Sequence, residues 1–179
     1  MNANFQQVMK KSNSRLRLLY KIRLHLNNKA AKSIYQSMIL PVITYGSLLH
    51  LNPTNSQLTK LASFHNRALK LVDKNLSQVH NEIPSPFAIN VMKSCVLVRK
   101  CLDENVCINF LNYFEKNQNE STRNGNHSIK LPKIRLEYSR GSFYYMGAKL
   151  YNNLPLTIRK TEDFNKFKEK LKIYATANF

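Results

Sequence analysis

Apolar residues recur at helical spacing through the first third of the chain. The first predicted helix takes residues 12–14 as its cap and continues to about Leu26, with Arg17 and Lys21 on the face opposite its apolar side. Asn27 and Asn28 interrupt this pattern and favour the start of a second helix, which we expect Pro41 to kink. Both predicted helices are therefore amphipathic, and the first has a basic outer face.

A third helix is predicted over residues 58–72, after a turn at 52–55. One side of it is apolar and comprises Leu58, Leu61, Ala62, His65, Ala68, Leu69 and Val72. The cations Lys60, Arg67 and Lys70 point away from that side. Because His65 lies on the apolar face, we expect it to be a hydrogen-bonded core residue and not a metal ligand or a catalyst.

The second half of the chain divides at a polar stretch. Ser85-Pro86 opens a helical segment that we expect to be interrupted near 103–105 and to continue through Phe114. Residues 116–128 contain Gly125 and several asparagines, which is typical of a linker. The predicted organisation is thus a helical region (1–115), a polar linker (116–128) and a C-terminal module (129–179).

Within the C-terminal module, residues 129–138 alternate in the manner of a short strand or an extended arm. A compact helical piece follows from Gly141 to Leu154. The last helix begins at Thr161, and its acidic first turn suits the helix dipole. The fold class predicted for the whole chain is mainly α.

The net charge of the chain indicates which class of partner it binds. The chain has 28 Lys and Arg against 10 Asp and Glu, a formal net charge of +18 and a pI of about 10.0, while 43% of its residues are hydrophobic. Such an excess repels itself unless an anion neutralises it, which favours nucleic acid as the partner. An acidic membrane surface and a solvated basic protein without a partner are the alternatives.

The cysteines and the apolar runs restrict the cellular setting. Cys95, Cys101 and Cys107 have neither zinc-knuckle nor redox-pair spacing, so we expect buried free thiols in a reducing compartment. The N-terminal residues do not resemble a secretory signal, and the apolar run 38–51 is too short to span a bilayer. These features predict an intracellular protein, nuclear or cytoplasmic, without a membrane partner.

Catalytic patterns are not apparent in the sequence. The adjacent acidic pairs, Asp103-Glu104 and Glu162-Asp163, lie in a predicted helix break and in a helix first turn, and neither position suggests a two-metal site. The glycines form no phosphate loop, and the histidines lack ligand spacing. We therefore expect no catalytic residue, no metal and no cofactor, and a chain that is not an enzyme on its own.

Basic residues on the outer faces of the predicted helices are the candidates for contact with phosphates. They are Arg17, Lys21, Lys60, Arg67, Lys70, Arg140, Lys149, Lys166 and Lys170. Aromatic residues lie among the last of them, in "RGSFYYMGAKLYNNLP" (140–155). Core spacing of Phe143 and Tyr151 favours packing, whereas Tyr144 or Tyr145 could stack on an unpaired base.

Two motifs carry a resemblance. "IYQSMILPVITYGSLLH" (34–50) and "LTKLASFHNRALKLV" (58–72) resemble the segment after the palm in reverse transcriptases of non-LTR retrotransposons of the jockey and CR1-like kind. The matching positions are Tyr35, Ser37, Pro41, Thr44, Tyr45, Gly46, Asn66, Arg67 and Ala68. The stretch 140–155 and the helix after it are similar to the terminal signature of the same polyproteins, through Arg140, Ser142, Phe143, Gly147, Ala148, Lys149, Leu150, Asn153, Leu154, Pro155, Phe167 and Lys168.

The resemblance implies a thumb and post-thumb region without its catalytic palm. His50 and Tyr151 stand where the family has tryptophan, and the paired aspartates of the palm are missing. The implied function is non-catalytic binding of the template and primer backbone, RNA or DNA, beside a reverse transcriptase palm or another protein. Two alternatives remain open: a protein-interaction module, and an element remnant without a selected role.

Overall fold

The computed structural model describes residues 2–45, 53–73, 83–103, 113–117 and 127–179. It is mainly α-helical, as the sequence predicted, and the described part contains no strand longer than an isolated bridge. Contacts group the described residues into two compact units. Unit 1 comprises 2–45, 53–73, 83–89 and Phe179, and unit 2 comprises 90–103, 113–117 and 127–178.

Five helical segments follow one another in unit 1. They are α1 (Asn2–Ile22), a 3-10 turn (Arg23–His25), α2 (Asn28–Ile34), a π-helical turn (Tyr35–Ile39) and α3 (Leu40–Thr44). After them come α4 (Asn55–Val72) and α5 (Pro86–Leu102), of which the residues up to Ile89 belong to unit 1. Among the described helices, none combines the length and the apolar character that crossing a bilayer requires.

The first helix begins well before the predicted cap at 12–14, so that prediction was wrong. Ser12, Asn13 and Ser14 lie inside α1, and their side chains donate hydrogen bonds back to the carbonyls of residues 8, 9 and 10, at 2.9, 2.9 and 3.1 Å. Short polar side chains can bond either a free N–H at a helix start or the carbonyl four residues back. Here they bond the carbonyls, and the helix gains ten residues at its N-terminal end.

The second predicted helix is confirmed, although part of it is π-helical and not α-helical. The Asn27 side chain accepts a hydrogen bond from the backbone N–H of Ala30 at 2.7 Å and caps α2. The π-helical turn follows, in which the Leu40 N–H bonds the Tyr35 carbonyl. Because proline has no N–H to donate, the helix changes its bonding before Pro41, at the position where the sequence predicted a kink.

The third predicted helix, α4, forms the centre of the unit 1 core. Thr54 and Gln57 form a reciprocal capping box at its start. Phe64 is fully buried and Ala62 is exposed, so the buried face is rotated slightly from the predicted one. The core also contains residues from the earlier helices, namely Leu16, Leu19, Ala31, Tyr35, Ile39, Leu40 and Ile43.

His65 is a core histidine, as predicted. It is 5% exposed, and its Nδ1 lies 2.8 Å from the hydroxyl of Tyr35, which is itself fully buried. Burial raises the pKa of the Tyr35 hydroxyl above its ordinary value, because the phenolate would lose its hydration. The pair thus satisfies two polar groups inside the core and joins α4 to the π-helical turn.

Unit 2 begins within α5 and continues with shorter elements. These are a bend at 113–114, a 3-10 turn (Glu137–Gly141), α6 (Phe143–Asn152), α7 (Leu156–Arg159) and α8 (Phe164–Asn178). Pro86 starts α5, as expected, and Leu102 ends it at the predicted break. The predicted continuation of that helix is wrong at Phe114, which lies in the bend, and residues 104–112 lie outside the described residues.

The ends of the predicted linker pair with each other inside unit 2. Lys116 and Ile129 form an antiparallel bridge, with an Asn117 N–H to Ser128 carbonyl distance of 2.8 Å. Residues 118–126 lie outside the described residues, and the division into a helical region (1–115), a linker (116–128) and a C-terminal module (129–179) stays a prediction. Beyond Ile129 the chain forms no ladder, so the segment is an extended arm and not a strand.

The side chain of Asn152 holds this arm on α6. Its Oδ1 accepts from the Ile129 N–H and its Nδ2 donates to the Ile129 carbonyl, each at 2.8 Å. On the other side of α6, a Cβ at Gly147 would lie 3.1 Å from atoms of Val98 and of Phe143. The absence of a side chain there permits the close approach of α6 to α5. Packing therefore explains much of the 140–155 motif.

Aromatic rings of this motif also pack, as the core spacing predicted. Tyr151 is 3% exposed, and its ring centroid lies 6.3 Å from that of Phe167. Tyr144 keeps 38% of its surface exposed, yet its ring contacts Tyr113 edge-on at a centroid distance of 4.7 Å. Base stacking by Tyr144 or Tyr145 stays a prediction.

Candidate nucleic-acid interface

Two adjacent surface cavities lie between α1 and α4 in unit 1, and we call them together the α1/α4 groove. The cavities have volumes of about 490 and 420 Å³ and share Asn13 and Arg67. The first cavity is lined by Phe5, Gln6, Met9, Lys10, Asn13, Thr59, Lys60, Ser63 and Arg67. The second cavity is lined by Asn13, Leu16, Arg17, Tyr20, Arg67, Lys70 and Leu71.

Five cations line this groove, and four of them were predicted to contact nucleic acid. The predicted four are Arg17, Lys60, Arg67 and Lys70, and the fifth is Lys10. All five side chains are exposed, so an anion in the groove can reach them. Helix spacing places Lys10 and Arg17 on one wall and the other three on the facing wall.

The groove has no acidic counterpart in the surrounding sequence. Residues 1–72, which include all of α1 and α4, contain no Asp or Glu. Cations on both walls of a groove reinforce one another's potential, because the low-dielectric protein beneath them does not screen it. The α1/α4 groove is therefore an electropositive channel that attracts anions.

Arg67 lies at the junction of the two cavities and is held there by its neighbours. Its Nη2 donates to the Asn13 Oδ1 at 3.2 Å, and its guanidinium carbon lies 5.9 Å from the centroid of the Phe64 ring. These contacts use some of the N–H donors of the guanidinium and fix the orientation of the remaining donors. A pre-oriented guanidinium binds a phosphate with less loss of side-chain entropy than a free one.

The length of the groove suits a short stretch of one nucleic-acid strand. At about 1.5 Å of rise per residue, α1 extends about 22 Å from Phe5 to Tyr20. One strand of a duplex carries a phosphate about every 3.4 Å of helix axis, so this distance corresponds to about six nucleotides of a duplex strand and to fewer nucleotides of an extended single strand. Five cations over that length can neutralise most of the phosphates that face them.

Other cations of unit 1 support the fold and do not line the groove. Arg15 donates to the Met38 carbonyl, and Arg23 donates to the last carbonyls of α4. Lys21 is exposed one helical turn beyond Arg17, yet it lines neither cavity. Of the five residues predicted in this region, the structure thus brings four together and leaves Lys21 beside them.

The four candidates of unit 2 lie on three elements, namely the 3-10 turn, α6 and α8. Arg140 pairs with Glu137 at 3.0 Å, which reduces the charge that it offers to a phosphate. Lys149 and Lys166 are exposed on α6 and α8, and the Lys170 Nζ donates to the Thr161 hydroxyl at 3.1 Å. None of these four lines the 260 Å³ cavity of unit 2.

That cavity is built around two arginines with structural partners. Arg99 donates to the carboxylate of Asp103 at 2.7 Å and to the Thr161 carbonyl at 2.9 Å. Arg159 is 5% exposed and donates to the carbonyls of Leu154 and of His127, and burial lowers its pKa from the ordinary value. Their donors are directed at carbonyls and at one carboxylate, so these residues tie segments of unit 2 together.

The sequence prediction missed Lys10, Asn13 and Tyr20 as groove residues. Placing the helix start at 12–14 removed Lys10 from any helical face. The signal that could have included it was the continuing period of Phe5, Met9 and Leu16. The acid-free run over residues 1–72 was a second signal that the net charge alone did not reveal.

The cysteines within the described part behave as predicted. Cys95 and Cys101 are buried free thiols, and Cys107 lies outside the described residues. Burial raises the pKa of the Cys95 thiol to about 12, which keeps it protonated and unreactive. Over the described ranges, no three His, Cys, Asp or Glu side chains come together in a group that could hold a metal ion.

Of the residues that carry the resemblance, the structure places Tyr35 and Gly147 in packing roles and Arg67 in the groove. Gly46 and His50 lie outside the described residues. Comparison of the chain with protein-family models, with curated proteins and with solved structures finds no match.

Proposed function

We propose that the protein binds the sugar-phosphate backbone of RNA or DNA through the α1/α4 groove, without catalysis of its own. The observation that carries this proposal is the convergence of Lys10, Arg17, Lys60, Arg67 and Lys70 on one groove in a region free of acidic residues. Lysine and arginine contacts to phosphate fix position and affinity but carry little base information. Binding is therefore tolerant of sequence.

The resemblance to the post-palm segment of non-LTR reverse transcriptases supports the same proposal. In that family the helices after the palm grip the template and primer, and the matching positions here include Asn66 and Arg67 on α4. On this hypothesis the chain is a thumb and post-thumb region that acts beside a palm supplied by another polypeptide. Such a palm is a proposed partner in addition to the nucleic acid.

The salt dependence of binding tests the proposal. Five phosphate contacts predict a slope of log K against log salt of about −3.5 for single strands and about −4.5 for duplex DNA. Over a fourfold rise in salt, these slopes correspond to a loss of affinity of about 100- to 500-fold. A flat plot for the folded protein would contradict the proposal.

Matched double variants test whether the groove is responsible. The Lys60→Gln, Lys70→Gln variant removes two groove charges, and the Lys11→Gln, Lys29→Gln variant removes two exposed charges of unit 1 outside the lining. We expect the groove variant to lose about 1.4 to 1.8 from the slope and the control to keep it, because only contacted phosphates release counterions. Equal effects of the two variants would show that the overall charge, and not the α1/α4 groove, accounts for binding.

A protein-interaction module is the second candidate, and exposed apolar residues of unit 1 favour it. Leu18 is 56% exposed and Leu24 is 92% exposed. Contiguous apolar patches on a surface are typical of docking sites, and on this hypothesis Leu18 and Leu24 belong to such a patch. This candidate predicts that Leu18→Ser and Leu24→Ser abolish self-association or partner capture in gel filtration, while retention on heparin is weak in every variant.

A further inference from the structure

The two cavities of the α1/α4 groove differ in chemistry. The first is bordered by polar side chains such as Gln6, Thr59 and Ser63, and its apolar residues, Phe5 and Met9, are half-buried and pack against the core. The second combines the apolar side chains of Leu16 and Leu71 with an aromatic ring, that of Tyr20. Three cations surround this apolar part, namely Arg17, Arg67 and Lys70. Binding of phosphates by charge alone requires neither apolar lining residues nor an exposed aromatic ring beside them.

Tyr20 is unusual because it is exposed beside these cations. It is 71% exposed, and it lies one helical turn from both Leu16 and Arg17. Covering a solvent-exposed tyrosine ring with a flat apolar partner is favourable, because it removes apolar surface from water. The ring is therefore available to a ligand, and no rearrangement of the core is needed to free it.

We infer that the second cavity of the α1/α4 groove takes an unpaired nucleotide, with the base stacked on Tyr20 and the flanking phosphates on Arg17 and Lys70. This inference rests on the proposed function and specifies its substrate as a single-stranded segment. Bases within a duplex are covered by their neighbours in the stack, whereas unpaired bases can be splayed onto aromatic side chains. The cavity volume of about 420 Å³ is within the range of small-molecule pockets, about 300–1,000 Å³.

A single substitution converts the contact into a fluorescence signal. The protein contains no tryptophan, so Tyr20→Trp introduces the only indole of the chain. Stacking of a base on that indole quenches its emission. Tyr45→Trp is the matched control, because Tyr45 belongs to the same unit, is 87% exposed and lines neither cavity.

The titration uses four ligands: single-stranded DNA and single-stranded RNA of about ten nucleotides, an abasic DNA strand of the same length and a blunt duplex long enough to stay paired. We expect both base-bearing single strands to quench Tyr20→Trp, and the abasic strand and the duplex to bind without quenching. The ratio of the DNA and RNA responses reports which strand is preferred. The Tyr45→Trp control should remain unquenched with all four.

Affinity provides an independent readout. Loss of one base-aromatic stack should weaken binding of the base-bearing single strands by Tyr20→Ala about 5- to 150-fold and leave the abasic strand unchanged. The salt slope should stay the same, because no charge is removed. Tyr45→Ala should bind all ligands as the original protein does.

Two outcomes would overturn this inference and leave the proposed function standing. One is equal quenching of Tyr20→Trp by the abasic strand and by the base-bearing strands. The other is an equal loss of affinity of Tyr20→Ala for both kinds of strand. Binding of none of the four ligands by the folded protein would overturn the proposed function together with the inference.

Discussion

Replacing Arg23 by methionine should destabilise unit 1, although the residue lies in the short 3-10 turn after α1. Its guanidinium donates to three backbone carbonyls: Nε to Leu71 at 2.6 Å, Nη1 to Leu26 at 2.7 Å and Nη2 to Val72 at 3.1 Å. The last four carbonyls of an α-helix have no partner within the helix. Arg23 bonds two of these at the end of α4 and thereby joins that end to the end of α1.

The expected cost follows from those bonds. A hydrogen bond from a charged donor contributes about 1.5–3 kcal/mol when both groups are shielded from water. Arg23 is half-buried, so water replaces part of each interaction once the guanidinium is removed. Three bonds at reduced strength give an expected loss of about 2–4 kcal/mol in the free energy of unfolding. Methionine preserves much of the apolar stem, which limits the contribution from lost packing.

Urea denaturation followed by far-ultraviolet circular dichroism measures this loss. The matched control is Lys21→Met, which removes a cation two residues away from an exposed position. We expect the control to change the free energy of unfolding by no more than about 0.5 kcal/mol. If the two variants were equally stable, the carbonyl-capping role of Arg23 would be refuted, and loss of general charge would explain the effect.

Three further predictions concern buried or bonded polar groups. Tyr35→Phe removes the hydrogen bond to His65, and we expect thermal denaturation to register a loss of about 1–3 kcal/mol. Because burial raises the Tyr35 pKa, its protonated form contributes stability fully below pH about 10, and this contribution decreases as the pH rises further. The variant should therefore lose less stability in alkali than the original protein, and an equal loss would contradict the assignment. Asn152→Ala removes both bonds to Ile129, so hydrogen exchange of the Ile129 amide should accelerate, and an unchanged rate would refute the protective role of the Asn152 side chain. Iodoacetamide should label the Cys95 thiol only as the protein unfolds, because burial raises the pKa of this thiol to about 12. Peptide mass spectrometry measures the labelling. Rapid labelling at neutral pH under native conditions would contradict the burial of Cys95.

Local chemistry in the sequence was sufficient to predict several elements. Asn27 and Pro86 mark helix starts in the structure as they do in the sequence. The apolar period of residues 58–72 predicted α4, and it placed His65 in the core. These signals depend on neighbours within one or two helical turns, and such interactions are present whenever the helix forms.

Where two local states have similar free energies, the sequence could not choose between them. A serine such as Ser12 can cap a helix or bond the carbonyl four residues earlier, and the difference is small in isolation. Packing decides: Ser12 is fully buried, and the apolar residues Phe5 and Met9 pack against the core from the turns before it. The energy of that burial extends α1 through the predicted cap.

The charge and its placement on outer helix faces were determined by the sequence alone, since the 3.6-residue period of a helix turns Arg17 and Lys70 away from the buried apolar residues next to them. Their convergence on one groove was decided by the tertiary structure. Arg17 and Lys70 are far apart along the chain, and only the packing of α1 against α4 brings them to the same cavity. That packing is driven by buried apolar area, which acts without regard to the charges that it carries to the surface. The sequence therefore determines which residues are basic, and the fold determines which of them act together.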